Sequence, residues 1–192
     1  MSAAPSVLII GAGGFGRSVA DAIGSGSRYT VAGFVDDRGP ALGLVLGHAV
    51  LGRLADLPAL RKHGALVLVA IGDNARRREV CQLARDSGFE LATLVHPRAF
   101  VSVHASVGAG AMVMAGAIIG TEARMGQGVI VNAAAVVDHH AQVGDFAHLG
   151  VGACMGGAAV LGSGAWLTEG AVLRAGQVMA AEPKPPLATP KI

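Results

Sequence analysis

From Val101 to Met179 every sixth residue is aliphatic or methionine, running Val101, Val107, Val113, Ile119, Met125, Val131 and onward without a slip. Four residues after each member stands a second series, Ala105, Ala111, Ala117, Ala123 and on to Ala171. In it only Val129 and the closing Gln177 are not alanine. A six-residue period held this long is the mark of a hexapeptide β-helix. The small residue of one hexad and the aliphatic residue of the next are two apart, so they share one strand face and point inward. The residue between them points out. Glycine is common on both sides of the corner that follows, as at Gly108 and Gly110, Gly126 and Gly128, and Gly162 and Gly164. Three such faces make a triangular coil of about 18 residues, and coils stack about 4.8 Å apart, the ordinary strand spacing. The pattern predicts roughly four coils between residues 101 and 179.

Ahead of the hexads the patterning changes. Ser6 to Gly11 reads as a buried strand that enters Gly11-Ala12-Gly13-Gly14-Phe15-Gly16, and Arg17 to Ile23 reads as a helix. Glycines between a strand and a helix let the backbone approach a phosphate, and the helix N-terminus attracts it. Arg17 adjoins this loop as a phosphate candidate. A second strand, Tyr29 to Val35, ends at Asp36 and Asp37, where a ribose contact is expected. His48 to Leu51 suggests a short strand, Leu54 to His63 a helix and Ala65 to Ile71 a buried strand. Asn74 suits the N-cap of a helix running to about Asp86. Phe89 to Val95 reads as a last strand. Strands alternating with helices predict a parallel α/β sheet. Arg76, Arg77 and Arg78 read as a solvated helix face, with a phosphate contact as the alternative. His96 to Phe100 is too short for a flexible linker, so the two parts are expected to dock.

The expected organisation is a Rossmann-like α/β domain over 1–97, a β-helix over 98–180 and an extended or disordered tail over 181–192. A net charge of +2 argues against a nucleic-acid partner. Two cysteines, Cys81 and Cys154, make no disulfide framework and suit a reducing, cytoplasmic setting; Cys154 reads as inert. The opening MSAAPSVLII lacks a charged n-region, so no signal peptide is expected. No apolar run is long enough for membrane insertion.

Stacking the hexads as a ruler shows which side chains meet. His139 falls at a corner, above Thr121 and below Gly157. His140 stands in a column with His104 and Glu122. His148 is expected to face outward on a strand beneath Trp166, and the pair to form a wall toward a neighbouring subunit.

The stretches GAGGFGRSV, VAGFVDD, VAIGDNARRR, HPRAFVS and VNAAAVVDHHAQVGDFAHLGVGACMGG, with the hexads, resemble the bacterial nucleotide-amino-sugar N-acetyltransferases and the related sialic acid O-acetyltransferases. The resemblance covers nearly the whole chain. It implies that the β-helix is left-handed, that the protein is a homotrimer and that acetyl-CoA binds between subunits. It also implies that the α/β domain holds the nucleotide-linked amino sugar. The family's general base falls on His139. Its acetyl-CoA contacts fall on His148 and the backbone of Gly157, with Trp166 added from the stacking. The nucleotide-sugar positions fall on Gly13, Gly14, Phe15, Asp36, Asp37 and Asn132. No metal is expected. This sequence departs from the pattern at His140, where an acid usually follows the base, and at Phe15, where a histidine often stands. It also stops without the usual segment after the last coil.

The implied chemistry is direct attack of a sugar amine on the thioester, with His139 taking the proton. Backbone N–H groups at the corners would hold the acyl oxygen. Asp138 is the favoured partner to orient His139. Glu122 acting through His140 and the absence of any acid are the alternatives. Competing functions are sugar O-acetylation, a metal hydratase using the His104, Glu122 and His140 column, and a non-catalytic nucleotide-sugar sensor.

Overall fold

A computed structural model describes residues 4–181. The expected tail beyond Ala181 lies outside the described residues. The α/β part begins with β1 (Ser6–Ile10), α1 (Gly14–Gly24) and β2 (Thr30–Val35). It continues through β3 (Leu44–Val45), β4 (His48–Gly52), the single turn α2 (Leu57–Leu60) and β5 (Leu66–Val69). It closes with α3 (Asn74–Asp86) and β6 (Glu90–Leu91). The strands form one sheet in the order β3-β4-β2-β1-β5-β6, parallel except for the β3–β4 hairpin. β1 is apolar on both sides because both sides are covered. Val7 and Ile9 pack with Val19 and Ile23 of α1. Leu8 and Ile10 pack with Leu57, Val80 and Ala84 of α2 and α3.

The expected helix over Leu54 to His63 is broken into 3-10 turns at Leu54–Asp56 and Arg61–His63 on either side of α2. The N-cap of α3 is Asp73, not Asn74: its carboxylate accepts from the Arg76 N–H at 2.8 Å. Asn74 is buried and donates through Nδ2 to the carbonyls of Gly164 and Ala165 in the coil.

The hexads form three parallel faces of five strands each, one coil more than expected. The extra rung is Leu94–Val95, which pairs with Met112–Val113 in the coil instead of extending β6. Val95 and Ala99 lie one period before Val101 and Ala105, so the repeat itself reaches back this far. The first face carries Leu94, Met112, Ile130, His148 and Trp166 outward, each 18 residues above the last. Phe100, Ile118, Val136, Cys154 and Val172 stand on the second face. The third face has Ser106, Arg124, Gln142, Val160 and Val178. Inside, the alanines and aliphatic residues from Ala111 to Ala165 form one continuous buried cluster. Each buried aliphatic side chain contributes about 1.5–3 kcal/mol, and alanine is the size that lets three faces close on so narrow a core.

The α/β domain sits on the first face. Met112 and Ile130 are fully buried in the same cluster as Val7 and Ile9. Arg77 is the bolt between the two parts, and its solvated-face reading is overturned. It is fully buried and donates to Gly128 O at 2.8 Å and Phe146 O at 2.7 Å on the coil. It also donates to Ile71 O, Gly72 O and Asn74 Oδ1 on its own domain. Arg78 lies over the Phe146 ring at 5.1 Å. The second face is left bare, with Phe100 61% and Val172 65% exposed.

Candidate active site

His139 stands at the corner between the rungs Val136–Val137 and Gln142–Val143, where the second face turns into the third. The residue after it in each coil adopts a left-handed backbone: Glu122 at φ 59°, His140 at 59° and Ala158 at 57°. That conformation is sparsely populated outside glycine. Here the corner hydrogen bonds impose it, as with His140 N–H to Thr121 O at 2.9 Å and Ala158 N–H to His139 O at 2.9 Å. Equal backbone angles send the Glu122 and His140 side chains out in the same direction, one coil apart. They meet: His140 Nε2 is 3.2 Å from Glu122 Oε2. His140 Nδ1 is in turn 3.1 Å from His139 Nδ1, with the two rings edge to face.

Asp138 uses Oδ1 to accept from the backbone N–H of His139 at 2.7 Å, and its Oδ2 is 3.9 Å from His139 Nε2. Gly157 explains how the imidazole fits. A Cβ there would stand 2.5 Å from His139 Cε1 and 2.6 Å from Nε2.

A second group of residues lies at the C-terminal ends of β1, β2 and β5, the ligand-binding edge of open parallel sheets. Gly16 is required for packing, since a Cβ would collide with the Gly11 carbonyl. Gly13 and Gly14 are exposed and a Cβ on either would meet open space, so their freedom faces outward. Phe15 is half-buried and packs on the α1 side of the sheet. Asp36 is engaged within the protein: it accepts from Ala12 N–H at 2.8 Å and from the Arg38 guanidinium at 2.8 and 3.1 Å. The Arg38 hydrogen bond, helped by the Ala12 N–H, holds this carboxyl well below the usual carboxylate range against the opposing effect of burial. It therefore braces the glycine loop. Asp37 is exposed, accepts from Leu54 N–H and lies 3.7 Å from Arg76. A pocket runs between Gly11, Asp36, Asp37, Ile71 and Arg76. The arginine run thus supplies Arg76 to the pocket, which the sequence reading did not separate from its neighbours.

His148 and Trp166 stack as expected, with ring centroids 3.8 Å apart. They point out from the coil as expected, but are covered rather than turned toward a neighbour: they are 4% and 8% exposed. The chain's own α/β domain covers them, and His148 Nδ1 lies 3.3 Å from Gly72 O. Asn132 is half-buried at the corner between the first and second faces, where its Oδ1 accepts from Ala133 N–H. His139 is at the corner opposite the first face, on the far side of the coil from the α/β domain. The column of His104, Glu122 and His140 makes no metal site: among the described residues no group of three or more His, Cys, Asp or Glu is arranged to hold an ion.

Residues 6–83 match the PglD N-terminal domain family. A histidine-to-alanine mutant of GDP-perosamine N-acetyl transferase from Caulobacter crescentus, solved with CoA and GDP-perosamine, is 37% identical. It superposes with a TM-score of 0.88 over 92% of this chain and 83% of that one. The chain belongs to the PglD-like hexapeptide-repeat acyltransferases. Another member, the acetyltransferase domain of PglB from Neisseria gonorrhoeae, solved with acetyl coenzyme A, is 32% identical with a TM-score of 0.76, covering 95% of this chain and 99% of that one. WeeI from Acinetobacter baumannii shares the fold at 18% identity and a TM-score of 0.61, over 91% of this chain and 95% of that one. No curated protein sequence matches the chain. Among the described residues of this acyltransferase no helix is long and apolar enough to cross a membrane.

Proposed function

We propose that this acyltransferase moves the acetyl group of acetyl-CoA onto the amine of a nucleotide-linked sugar, with His139 as general base. The observation that carries the reading is the imidazole seated over Gly157 at a coil corner. It occurs in a chain 37% identical to an N-acetyl transferase solved with CoA and GDP-perosamine. Acetyl-CoA would supply an activated thioester, so no serine or cysteine nucleophile is needed. His139 Nε2 takes the proton the amine sheds as the N–C bond forms and the C–S bond breaks, then returns it to the departing sulfur. The Gly157 N–H beside the imidazole is the candidate donor to the acyl oxygen. Gly13, Gly14 and the N-terminus of α1 receive the diphosphate, and Asp37 and Arg76 flank the nucleoside pocket. His148 and Trp166 act as a packed support under the α/β domain.

The reading requires more than one copy of the chain. The nucleotide pocket and His139 are on opposite sides of a coil whose faces each span up to about 20 Å. The bare second face, with Phe100, Ile118 and Val172 exposed, ends at the His139 corner. A homotrimer packed through these faces would bring the His139 corner of one copy near the pocket of another and leave an apolar cleft for the pantetheine arm. The free cysteines Cys81 and Cys154 suit a reducing compartment, so we place the reaction in the cytoplasm. The test is to incubate the protein with acetyl-CoA and a panel of nucleotide amino sugars and read free thiol. Thiol release with one of them, abolished in His139→Ala, supports the reading. Tight nucleotide-sugar binding without release on any member of the panel overturns it.

A further inference from the structure

We propose that Glu122 and His140 together position His139, through a relay from the coil below. This rests on the reading of His139 as the base. The geometry is a chain of two contacts: Glu122 Oε2 to His140 Nε2 at 3.2 Å, and His140 Nδ1 to His139 Nδ1 at 3.1 Å. With both imidazoles neutral, only one arrangement of protons satisfies both. The carboxylate can only accept, so His140 carries its proton on Nε2. Its Nδ1 is then an acceptor, and His139 must donate from Nδ1. That leaves the lone pair of His139 on Nε2, the nitrogen lying over Gly157. The reverse tautomers would point the His140 Nε2 lone pair at a carboxylate. The relay therefore selects the tautomer a general base needs.

Asp138 does not meet this requirement. One oxygen is held by the His139 backbone N–H, and the other is 3.9 Å from Nε2, the atom that must stay free to take a proton. Besides Asp138, the coil above presents Gly157 and Ala158, and the coil below presents Thr121 and Glu122, with Arg124 on the adjoining rung and His104 one coil further down. When the amine nitrogen bonds to the acyl carbon, its proton passes to His139 Nε2. The imidazolium is then held through His140 by the Glu122 carboxylate, and the same proton leaves with the CoA sulfur as the C–S bond breaks. No proton moves along the relay.

The test reads tautomer and rate in the full-length protein. In ¹⁵N spectra at neutral pH, wild type should show His139 protonated on Nδ1. Glu122→Gln, which keeps the shape but loses the charge, should shift His139 toward a mixture of tautomers. That readout does not depend on turnover, so it separates failure of the relay from failure of the acetyltransferase reading. In kinetics, Glu122→Gln and His140→Ala should each lower kcat at least ~10-fold, less than removal of the base itself. The KM for either substrate should change by less than about twofold, and the double variant should be no worse than the poorer single one. Placing an acid next to the base, His140→Glu in the Glu122→Gln background, should restore much of the rate. Wild-type tautomer and rate in Glu122→Gln would overturn the relay, as would a larger change of His139 tautomer in Asp138→Asn than in Glu122→Gln.

Discussion

The imidazole of His139 occupies the space that a side chain on residue 157 would need. A Cβ at Gly157 would stand 2.5 Å from Cε1 and 2.6 Å from Nε2 of that ring. The backbone of Gly157 lies outside the left-handed region, so alanine costs it no strain there. Gly157→Ala should leave the fold and melting temperature near wild type while pushing the base aside. A displacement of about 1 Å can cost ~10²-fold in rate, and a loss of that order in kcat is expected. Thermal melting and steady-state kinetics on the same preparation check it. A variant with an unchanged kcat would mean that the ring is not held against Gly157 during turnover.

Gly13 presents the opposite case. It is the exposed N-cap of α1, and a Cβ there meets nothing within 4 Å. A valine can therefore be accommodated by the protein, and what it obstructs is a ligand approaching the loop backbone. Gly13→Val should fold normally, bind acetyl-CoA as wild type does and lose affinity for the nucleotide sugar by at least ~10-fold, about 1.4 kcal/mol. Calorimetry with each ligand separately is the measurement. Equal weakening of both ligands would contradict the assignment of the loop to the nucleotide.

Cys81 sets an alkaline limit on stability. Burial pushes its thiol up from 9.0 to about 11, against the pull of Arg77 and Arg85. The unfolded chain loses that proton first. Stability from this group is thus full below pH 9 and is lost as the pH rises through 11, by about 3 kcal/mol in all. Urea unfolding at pH 8 and pH 10.5 should show a smaller loss in Cys81→Ala than in wild type. Parallel losses in the two proteins would remove Cys81 as the cause.

The hexads made the coil legible because the physical demand repeats: one interior position per rung admits only alanine, the next only an aliphatic chain. The same ruler brought Glu122 beneath His140 and His148 beneath Trp166. What it could not show was which face the α/β domain covers. Outwardness relative to the coil is a period-2 property, whereas burial depends on a second body packed on that face. His148 and Trp166 were therefore expected to face a neighbouring subunit, and instead they lie under the chain's own α/β domain. Rung Leu94–Val95 was assigned to the wrong sheet for a related reason. Two apolar residues after a helix fit either architecture, and only the pairing with Met112–Val113 decides. The imidazole link between His139 and His140 was not readable from spacing, because adjacent residues normally point apart. The left-handed backbone at His140 swings the two rings together.

Arg77 shows where sequence signal was lacking. Three arginines at the start of a helix look alike, yet the middle one is fully buried while its neighbours are exposed. Its guanidinium, pushed down to about 10 by burial, remains charged at neutral pH. It is held by carbonyls on both sides of the interface: Ile71 and Gly72 from the α/β domain, Gly128 and Phe146 from the coil. The planar fork reaches all of these at once, which a lysine ammonium on one point cannot. Removing it leaves several buried carbonyls without a donor, at about 1–3 kcal/mol each. Arg77→Ala and Arg77→Lys should therefore both lower stability by at least ~3 kcal/mol. They should also uncouple the two parts, so that calorimetric melting changes from one transition to two. Arg76→Gln, on the exposed neighbour, should stay within about 0.5 kcal/mol of wild type. A single transition at the wild-type temperature in Arg77→Lys would mean that the apolar contacts of Met112 and Ile130 with the α/β domain suffice to hold the interface, and that Arg77 is not its bolt.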